Sequence, residues 1–529
     1  MQRIPLHLIT TCIAVFITAM LSLQIQSSGL IAAPDDNAYL NLGKNIPEVG
    51  IPTRETEIMS APLQSLLGLA IFQIFSGQNP EWAVKAYMVI CSILPILMAG
   101  LLLWARRVNL GVTVCLLAIM ALCHGTAGVH PKINHTTLSL LMLGLIGMGF
   151  VRETWMKFTI AALVTIAAAY LRPELTYAAI ILSIIAIATK LKAVTSQTKF
   201  TALAPILILT ISWGVAWLTF GNPLPSKERS ELAIEQHLAM NLKNQHPSKY
   251  NEADFWQKTE LIMQEYYGDA KSLSEAAKSN PGAFLDHLEV SVSEAPKTLF
   301  RNFALPTKSH RDSPKINILA GAIIMGLLWL IWGSHFITRI QGTFGEFRQK
   351  FKIPEAICIG IWLLPTLTAA VLLTPRHHYL YLLLLIPIGI SILVNPKFNP
   401  TQKWNNGSIG LALILSGVVL LLPNDYPRNF DYQTEIKFIE KLDVEPVTGH
   451  ETIGILTPHP HSALLNRKWL VQGLAPNPTP KALKRASVVL LEGPGYKGWR
   501  EFIKTPEKFG FESLPIPNSK HLLFVRTQK

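Results

Sequence analysis

The chain has 529 residues, of which 50% are hydrophobic and only 15% charged, with a formal net charge of +13; soluble domains carry about 25% charged residues. Apolar runs longer than any strand, set in that polar balance, exclude a secreted disulfide scaffold, a disordered tail protein and an ordinary cytosolic enzyme, and predict a multi-spanning membrane protein. In such a chain a basic excess reports topology, because Lys and Arg accumulate on cytoplasmic loops, so no nucleic-acid partner is expected.

A span needs about 20 apolar residues, or about 17 when short. Taken in chain order, the runs predict eleven spans, at 8–27, 82–105, 108–124, 138–151, 158–171, 174–189, 200–221, 316–337, 353–373, 379–395 and 407–423. Those between 138 and 189 are short, which fits a thinned region or helices buried among others. Ala61 to Phe75 is also apolar, but as a span it would put Arg106 and Arg107 outside, so it is expected to lie along the outer face. The first run shares a leading Arg3 and following Ala32 and Ala33 with signal peptides, yet is longer than their apolar region. The five cysteines Cys12, Cys91, Cys115, Cys123 and Cys358 sit in apolar runs with no CxxC pair and read as small buried hydrophobes.

With the N-terminus inside, the cytoplasmic loops hold fourteen Lys and Arg, Arg106 and Lys157 among them, against three acids, Glu153, Glu346 and Glu355. The expected topology is therefore an N-terminus in the cytoplasm and a C-terminus outside, in an inner or plasma membrane. Six basic residues remain on short outer loops or in the membrane zone: Lys44, Arg54, Lys85, Lys132, Arg172 and Arg376. There a cation is costly unless it has a partner or a task.

Residues 1–423 thus form a polytopic α-helical transmembrane domain, with a first outer loop at 28–81 and an outer insertion at 222–315. In the insertion, LAIEQHLAMNL and DFWQKTELIMQEYY read as amphipathic helices. Residues 424–529 regain the charge of a soluble domain, about a quarter. Within them ETIGILT, ASVVLLEG and HLLFVRT predict strands, and SALLNRKWL and GYKGWREFIKTPEKFG helices, making an extracytoplasmic α/β domain. LLEGPGYKGW holds a Gly-Pro-Gly turn but lacks the ends of a phosphate loop.

Just past the first run, Asp35 and Asp36 repel each other at a membrane surface and are poorly explained by stability alone. Either one starts the helix carrying Tyr39 and Leu42, or one works chemically; one can cap while the other reacts. Other polar groups are expected on the same face: Arg54 and Glu57; His130, Lys132 and His135; Arg172 and Glu174 in LRPEL; Arg376, His377, His378 and Tyr379 in TPRHHYLYL. Membrane-edge Arg and His also anchor to headgroups, and adjacent histidines on a helix diverge by about 100°, so they are no metal pair. Carboxylates and cations converging on one face describe a site that holds an anionic lipid headgroup and activates a hydroxyl.

The segment DDNAYLNLGKNI, followed by SAPLQSLLGLAIF and WARR, resembles the first outer loop of the GT-C superfamily of polyprenyl-phosphate-sugar-dependent glycosyltransferases, with its DDAY-like acidic pair, Gly-rich stretch and surface helix. LRPEL is similar to the Arg-Pro turn of these enzymes, FGNPLPSK to their outer Gly-x-x-x-Pro loop, and PRHHYLYLLLLIPI to their late Arg-Tyr, leucine-rich span. IPEVG after Gly43 and the two histidines in PRHHY depart from the family pattern.

The resemblance implies sugar transfer from a polyprenyl-phosphate donor to a hydroxyl of a glycan, lipid or protein acceptor, in contact with the bilayer. Asp35 is then the general base and Asp36 the second choice, with Arg172, Arg376, Lys132 and His378 offsetting charge on the departing phosphate. No cofactor is expected; no further acids are spaced as ligands, although Asp36 with a phosphate could hold a divalent ion. The alternative is a polytopic transporter or lipid flippase. Against it stand the absence of a hydropathy repeat and about 200 residues of outer soluble segments, which transport does not require.

Overall fold

The computed structural model describes residues 34–54, 61–75, 80–122, 133–192, 203–246, 249–250, 259–304, 323–334, 353–374, 381–393, 433–447, 453–457, 465, 469–473, 480–491, 499–517, 519 and 522–527. The chain divides into two compact units, one within Ile25–Pro52, Ser60–Ile90 and Pro427–Lys529, the other holding Thr53–Met59 and Cys91–Tyr426.

The first unit begins with α1 (Pro34–Val49), α2 (Pro62–Phe75) and the start of α3 (Pro80–Ala105). Each opens on a proline, whose fixed φ suits a first helical residue and whose missing N–H is not needed there. α1 stops at Gly50, which takes the left-handed conformation (φ +80) and donates to Ile46 O at 2.9 Å. Helices α1 and α2 touch backbone to backbone: a Cβ on Gly43 would lie 2.4 Å from Ser65 O and 2.6 Å from Leu69 N. Gln64 Nε2 donates to Tyr87 Oη at 2.6 Å and joins α2 to α3. The 14-residue α2 is the apolar run assigned to a surface; at 1.5 Å per residue it is too short to cross a bilayer unaided.

The second unit runs through α4 (Leu110–Leu122), α5 (Ile133–Phe150), α6 (Thr154–Ala169), α7 (Leu175–Lys192) and α8 (Ala204–Phe220). The insertion follows as α9 (Lys227–Gln245), α10 (Thr259–Tyr267), α11 (Leu273–Ser279) and α12 (Pro281–Ala304), and then α13 (Ile323–Ser334), α14 (Ile353–Leu372) and a 3₁₀ turn, Tyr381–Leu384, leading into α15 (Leu385–Leu393). Among the described residues, four helices are long and apolar enough to cross a membrane: Trp82–Ala105, Ile133–Phe150, Leu175–Lys192 and Ile353–Leu372. The runs expected at 108–124, 158–171, 200–221, 316–337 and 379–395 fall on shorter apolar helices, and those at 8–27 and 407–423 lie outside the described residues. Ile180, Ile181 and Ile184 on α7, and Leu207, Ile211, Val215 and Leu218 on α8, are exposed. Such bulky aliphatic faces suit lipid, not water.

α5 and α6 are antiparallel, with Gly144 against Val164 and Gly147 against Ile160. α14 runs along α6, since Glu355 meets Lys157 near their starts and Trp362 Nε1 donates to Thr165 Oγ1 at 2.7 Å further along. One end of the bundle therefore gathers the start of α5, the α6–α7 turn and the end of α14.

At the opposite end, Arg106, Lys157 and Glu355, counted from the sequence among the charges of the cytoplasmic loops, form a buried ion cluster. Glu355 is fully buried, with Oε1 3.2 Å from Arg106 Nη1 and 3.1 Å from Lys157 Nζ. Arg106 Nη2 also donates to Leu145 O at 2.5 Å. Both cations thus meet one oxygen of the buried carboxylate.

The C-terminal domain comprises α16 (Gln433–Glu440), β1 (Ile453–Thr457), β2 (Trp469–Gly473), α17 (Pro480–Arg485), β3 (Val488–Leu491), α18 (Arg500–Lys504), β4 (Phe511–Pro515) and β5 (Leu522–Arg526). The mixed sheet has the order β2-β1-β3-β5-β4, with β1 parallel to β2 and β3. β3 is VVLL, buried throughout, as a strand covered on both faces requires. Ile455, Trp469 and Val488 pack on one side of the sheet, Trp499, Phe502, Phe511 and Phe524 on the other. The three expected strands are present. The helix expected across SALLNRKWL is corrected, because Trp469 opens strand β2 and finds its ladder on β1. The helix expected over GYKGWREFIKTPEKFG shrinks to α18 and a 3₁₀ turn at Pro506–Phe509.

Candidate functional site

The helix α6 cannot continue past Arg172, because Pro173 disfavours a helical conformation in the residue before it. The chain turns instead, with Arg172 N donating to Ala168 O at 2.8 Å and Leu175 N to Arg172 O at 3.0 Å. Arg172 is buried, and its Nη2 lies 2.7 Å from Glu174 Oε1. Arg54, also buried, donates through Nη2 to Ala169 O at 3.1 Å. That carbonyl belongs to the negative end of a helix, which favours a cation. Tyr170 Oη donates to Gly221 O at 3.1 Å, and Gly221, in a left-handed conformation (φ +72) at the end of α8, packs against Thr53. Among the described residues, two guanidiniums and one carboxylate thus meet around the α6–α7 turn.

The antiparallel pairing of α5 with α6 brings the first turns of α5 level with this turn. Asn134, His135, Thr136 and Thr137 are all buried there. The His135 ring stacks on Tyr381, centroids 4.4 Å apart. Asn134 is 1% exposed, yet among the described residues neither Nδ2 nor Oδ1 has a hydrogen-bond partner, and Thr136 Oγ1 and Thr176 Oγ1 share that condition. Because both atoms of the Asn134 amide are orphaned, the result does not depend on which way the amide is turned. An orphaned buried polar atom costs about 1 to 3 kcal/mol, and such atoms concentrate where substrate-facing groups are needed.

Of the residues singled out in the sequence, the structure brings Arg54, Arg172 and Glu174 to one turn. Arg376, His377, His378 and Tyr379 lie outside the described residues, but their flanking residues do not: α14 ends at this end of the bundle, and Tyr381 stacks on His135 there. His130, Lys132 and Glu57 also lie outside the described residues. The backbone of Asp35 and Asp36 forms the first turn of α1, starting the helix as expected; their side chains lie outside the described set. Lys44, one of the six unexplained cations, donates to Leu465 O at 3.3 Å in its own unit and so has a structural task.

Asn134 was missed, although the polar run Asn-His-Thr-Thr opening an apolar helix was a usable signal. Among the described residues no group of three or more His, Cys, Asp or Glu is placed to hold a metal ion. No family model matches the chain, and no curated protein is significantly similar to it.

Proposed function

We propose that this chain is an integral membrane glycosyltransferase of the GT-C kind, moving a sugar from a polyprenyl phosphate to a hydroxyl of a glycan, lipid or protein. Its N-terminus is cytoplasmic, and its site and C-terminal domain face the other side of an inner or plasma membrane. The observation that supports this reading is the pair of buried guanidiniums, Arg54 and Arg172, at the same end of the bundle as Asn134, whose amide has no hydrogen-bond partner among the described residues. A guanidinium fork matches phosphate geometry and holds its charge when buried. Asn134 supplies the donor and acceptor that a sugar hydroxyl needs.

In the reaction, Asp35, or Asp36 in its place, takes the acceptor hydroxyl's proton while the oxygen bonds to the anomeric carbon. The bond from that carbon to the donor phosphate breaks, and its electron pair leaves with the lipid phosphate. Arg54 and Arg172, with Arg376, Lys132 and His378, offset the charge that grows there.

The test is transfer of radiolabelled sugar from polyprenyl phosphate in proteoliposomes. Asp35→Asn keeps the side-chain shape and removes the proton acceptor, so turnover falls roughly 10² to 10⁴-fold, while binding of the lipid phosphate persists. Undiminished transfer in both Asp35→Asn and Asp36→Asn removes the aspartates from the mechanism. Lipid movement without any glycosidic product from the wild type favours the flippase reading.

A further inference from the structure

The insertion helices have a core of their own, built on Leu238, Leu242, Ile262, Met263 and Tyr267. The 24-residue α12 does more than close that core. Buried polar pairs four residues apart, His237 and Asn241 on α9 and His287 and Ser291 on α12, each share one helix face and grip the end of α14. His237 Nδ1 is 2.5 Å from Thr374 Oγ1, His287 Nε2 donates to Leu372 O at 3.1 Å, and Ser291 Oγ donates to Leu373 O at 2.8 Å. Asn241 Nδ2 ties the set together, 2.9 Å from both His287 Nδ1 and Ser291 Oγ.

Successive residues of a helix point about 100° apart, so three in a row sample three directions. Around α12 these directions differ in kind. In Leu285-Asp286-His287 an exposed apolar residue is followed by an exposed charge and then by the buried grip; in Ser291-Val292-Ser293 the order is grip, exposed apolar, exposed polar. Leu285, Val292 and Phe300 follow one another at about two turns and form one stripe, exposed by 65%, 54% and 62%. Asp286, Ser293 and Lys297 form a polar stripe beside it, with Glu289 on the border and Lys297 paired to Glu294 at 2.5 Å. A line of bulky apolar groups in the open marks an interaction surface.

The grip fixes the level of that stripe. α14 has 20 residues, about 30 Å at 1.5 Å per residue, which matches the hydrocarbon core of a bilayer. A helix of that length leaves the hydrocarbon at its last residue, and the grip falls on Leu372 and the two residues after it. Leu364, Leu367 and Val371, just before it on α14, are exposed as a lipid-facing side would be. The far end of α12 is fastened to another apolar helix: Trp329 Nε1 on α13 donates to Phe303 O at 2.8 Å, and Ile323, Leu327 and Leu330 there are exposed. An apolar face beside a charged one is the pattern of helices that lie in the plane of a membrane surface. We propose that α12 is such an interfacial helix: the grip holds it where α14 leaves the hydrocarbon, and Leu285, Val292 and Phe300 dip into the phospholipid leaflet. This rests on α14 spanning the membrane, not on sugar transfer, and holds whichever side the insertion occupies.

The experiment uses the full chain in phosphatidylcholine nanodiscs, with its five native cysteines replaced by alanine. A nitroxide is attached to Leu285→Cys, Val292→Cys and Phe300→Cys, and separately to Asp286→Cys, Ser293→Cys and Lys297→Cys. Collisions with oxygen, which concentrates in hydrocarbon, and with a nickel chelate, which stays in water, read the depth of each label. The oxygen-to-nickel ratio should be several times higher in the first set than in the second. Equal ratios show the stripe bare to water, and few collisions with either reagent in the first set show it packed on protein, whether a partner or a second copy; either result overturns the proposal. The wild-type chain gives a second reading without any substitution. A phospholipid carrying a diazirine on its acyl chain should, after illumination, leave adducts on Leu285, Val292 or Phe300 as well as on Leu364 or Leu367. Adducts on α14 with none on α12 overturn the interfacial helix, and none on either helix overturns the span on which it rests.

Discussion

The helix carrying the acidic pair and the helix leading to Arg376 are held in opposite ways. α1 lies against α2 through Gly43, where a single methyl group would meet backbone atoms at 2.4 Å. The end of α14 is held by hydrogen bonds from side chains of the insertion, beginning with His287 and Ser291. A backbone contact has no adjustable part: it places a helix sharply and tolerates nothing in between. A polar grip weakens by degrees and answers to pH.

The contrast can be broken at four points, taken from the largest expected effect down. Glu355→Gln strands Arg106 and Lys157 without their countercharge, and breaking a buried ion pair costs about 3 to 5 kcal/mol. The thermal midpoint of the detergent-solubilised protein should fall sharply; an unchanged midpoint would mean that the two cations are solvated after all. Gly43→Ala forces α1 and α2 apart, and overpacking of this kind costs about 1 to 3 kcal/mol. Sugar transfer should drop while undecaprenyl phosphate still binds. Equal loss of both would show that α1 does more than carry the proposed base.

Acidification comes third. The folded His287 binds its proton less readily than the ordinary value of 6.5. The unfolded chain therefore takes up more protons below about that pH, and stability contributed by the neutral ring is present above it and lost as pH falls through the window beneath. The midpoint of the wild type should decline on acidification more steeply than that of His287→Gln. Parallel curves would take the histidine out of the grip.

Asn134→Leu is the smallest perturbation of the fold, since it replaces an amide that has no partner among the described residues with an apolar group of similar size. Such a change is close to neutral or stabilising. Transfer should nevertheless fall through a weaker KM for the sugar donor. A clear loss of stability would mean that the amide already serves the protein itself.

Much of this architecture was legible in local pattern. Pro34 announced the start of α1, the apolar runs located the helices, and ETIGILT and HLLFVRT carried the alternation and β-branching of strands. Strand β2 was hidden because ALLNRKWL has helical spacing, and only the ladder to β1 decides otherwise. Arg172 stood out because a cation in the membrane zone needs a reason, but its meeting with Arg54 at one turn depends on packing between distant segments. Glu355 read as a loop charge since it sits at the edge of an apolar run; nothing nearby in sequence names its partners. The insertion left a trace, polar pairs four residues apart in helices otherwise built for a core, but their target on α14 is a tertiary fact.

The ion cluster around Glu355 also imposes an order on biogenesis. Arg106 precedes Glu355 by 249 residues, and at synthesis rates of roughly 5 to 20 residues per second that interval lasts about 10 to 50 s. Throughout it, Arg106 and Lys157 emerge from the ribosome with their eventual countercharge not yet made. The early helices can enter the bilayer one after another, but the ends carrying these two cations repel each other until α14 arrives. The late helix is then the keystone of assembly, and a chain truncated before residue 353 should remain a loose set of inserted segments, exposed to quality-control proteases.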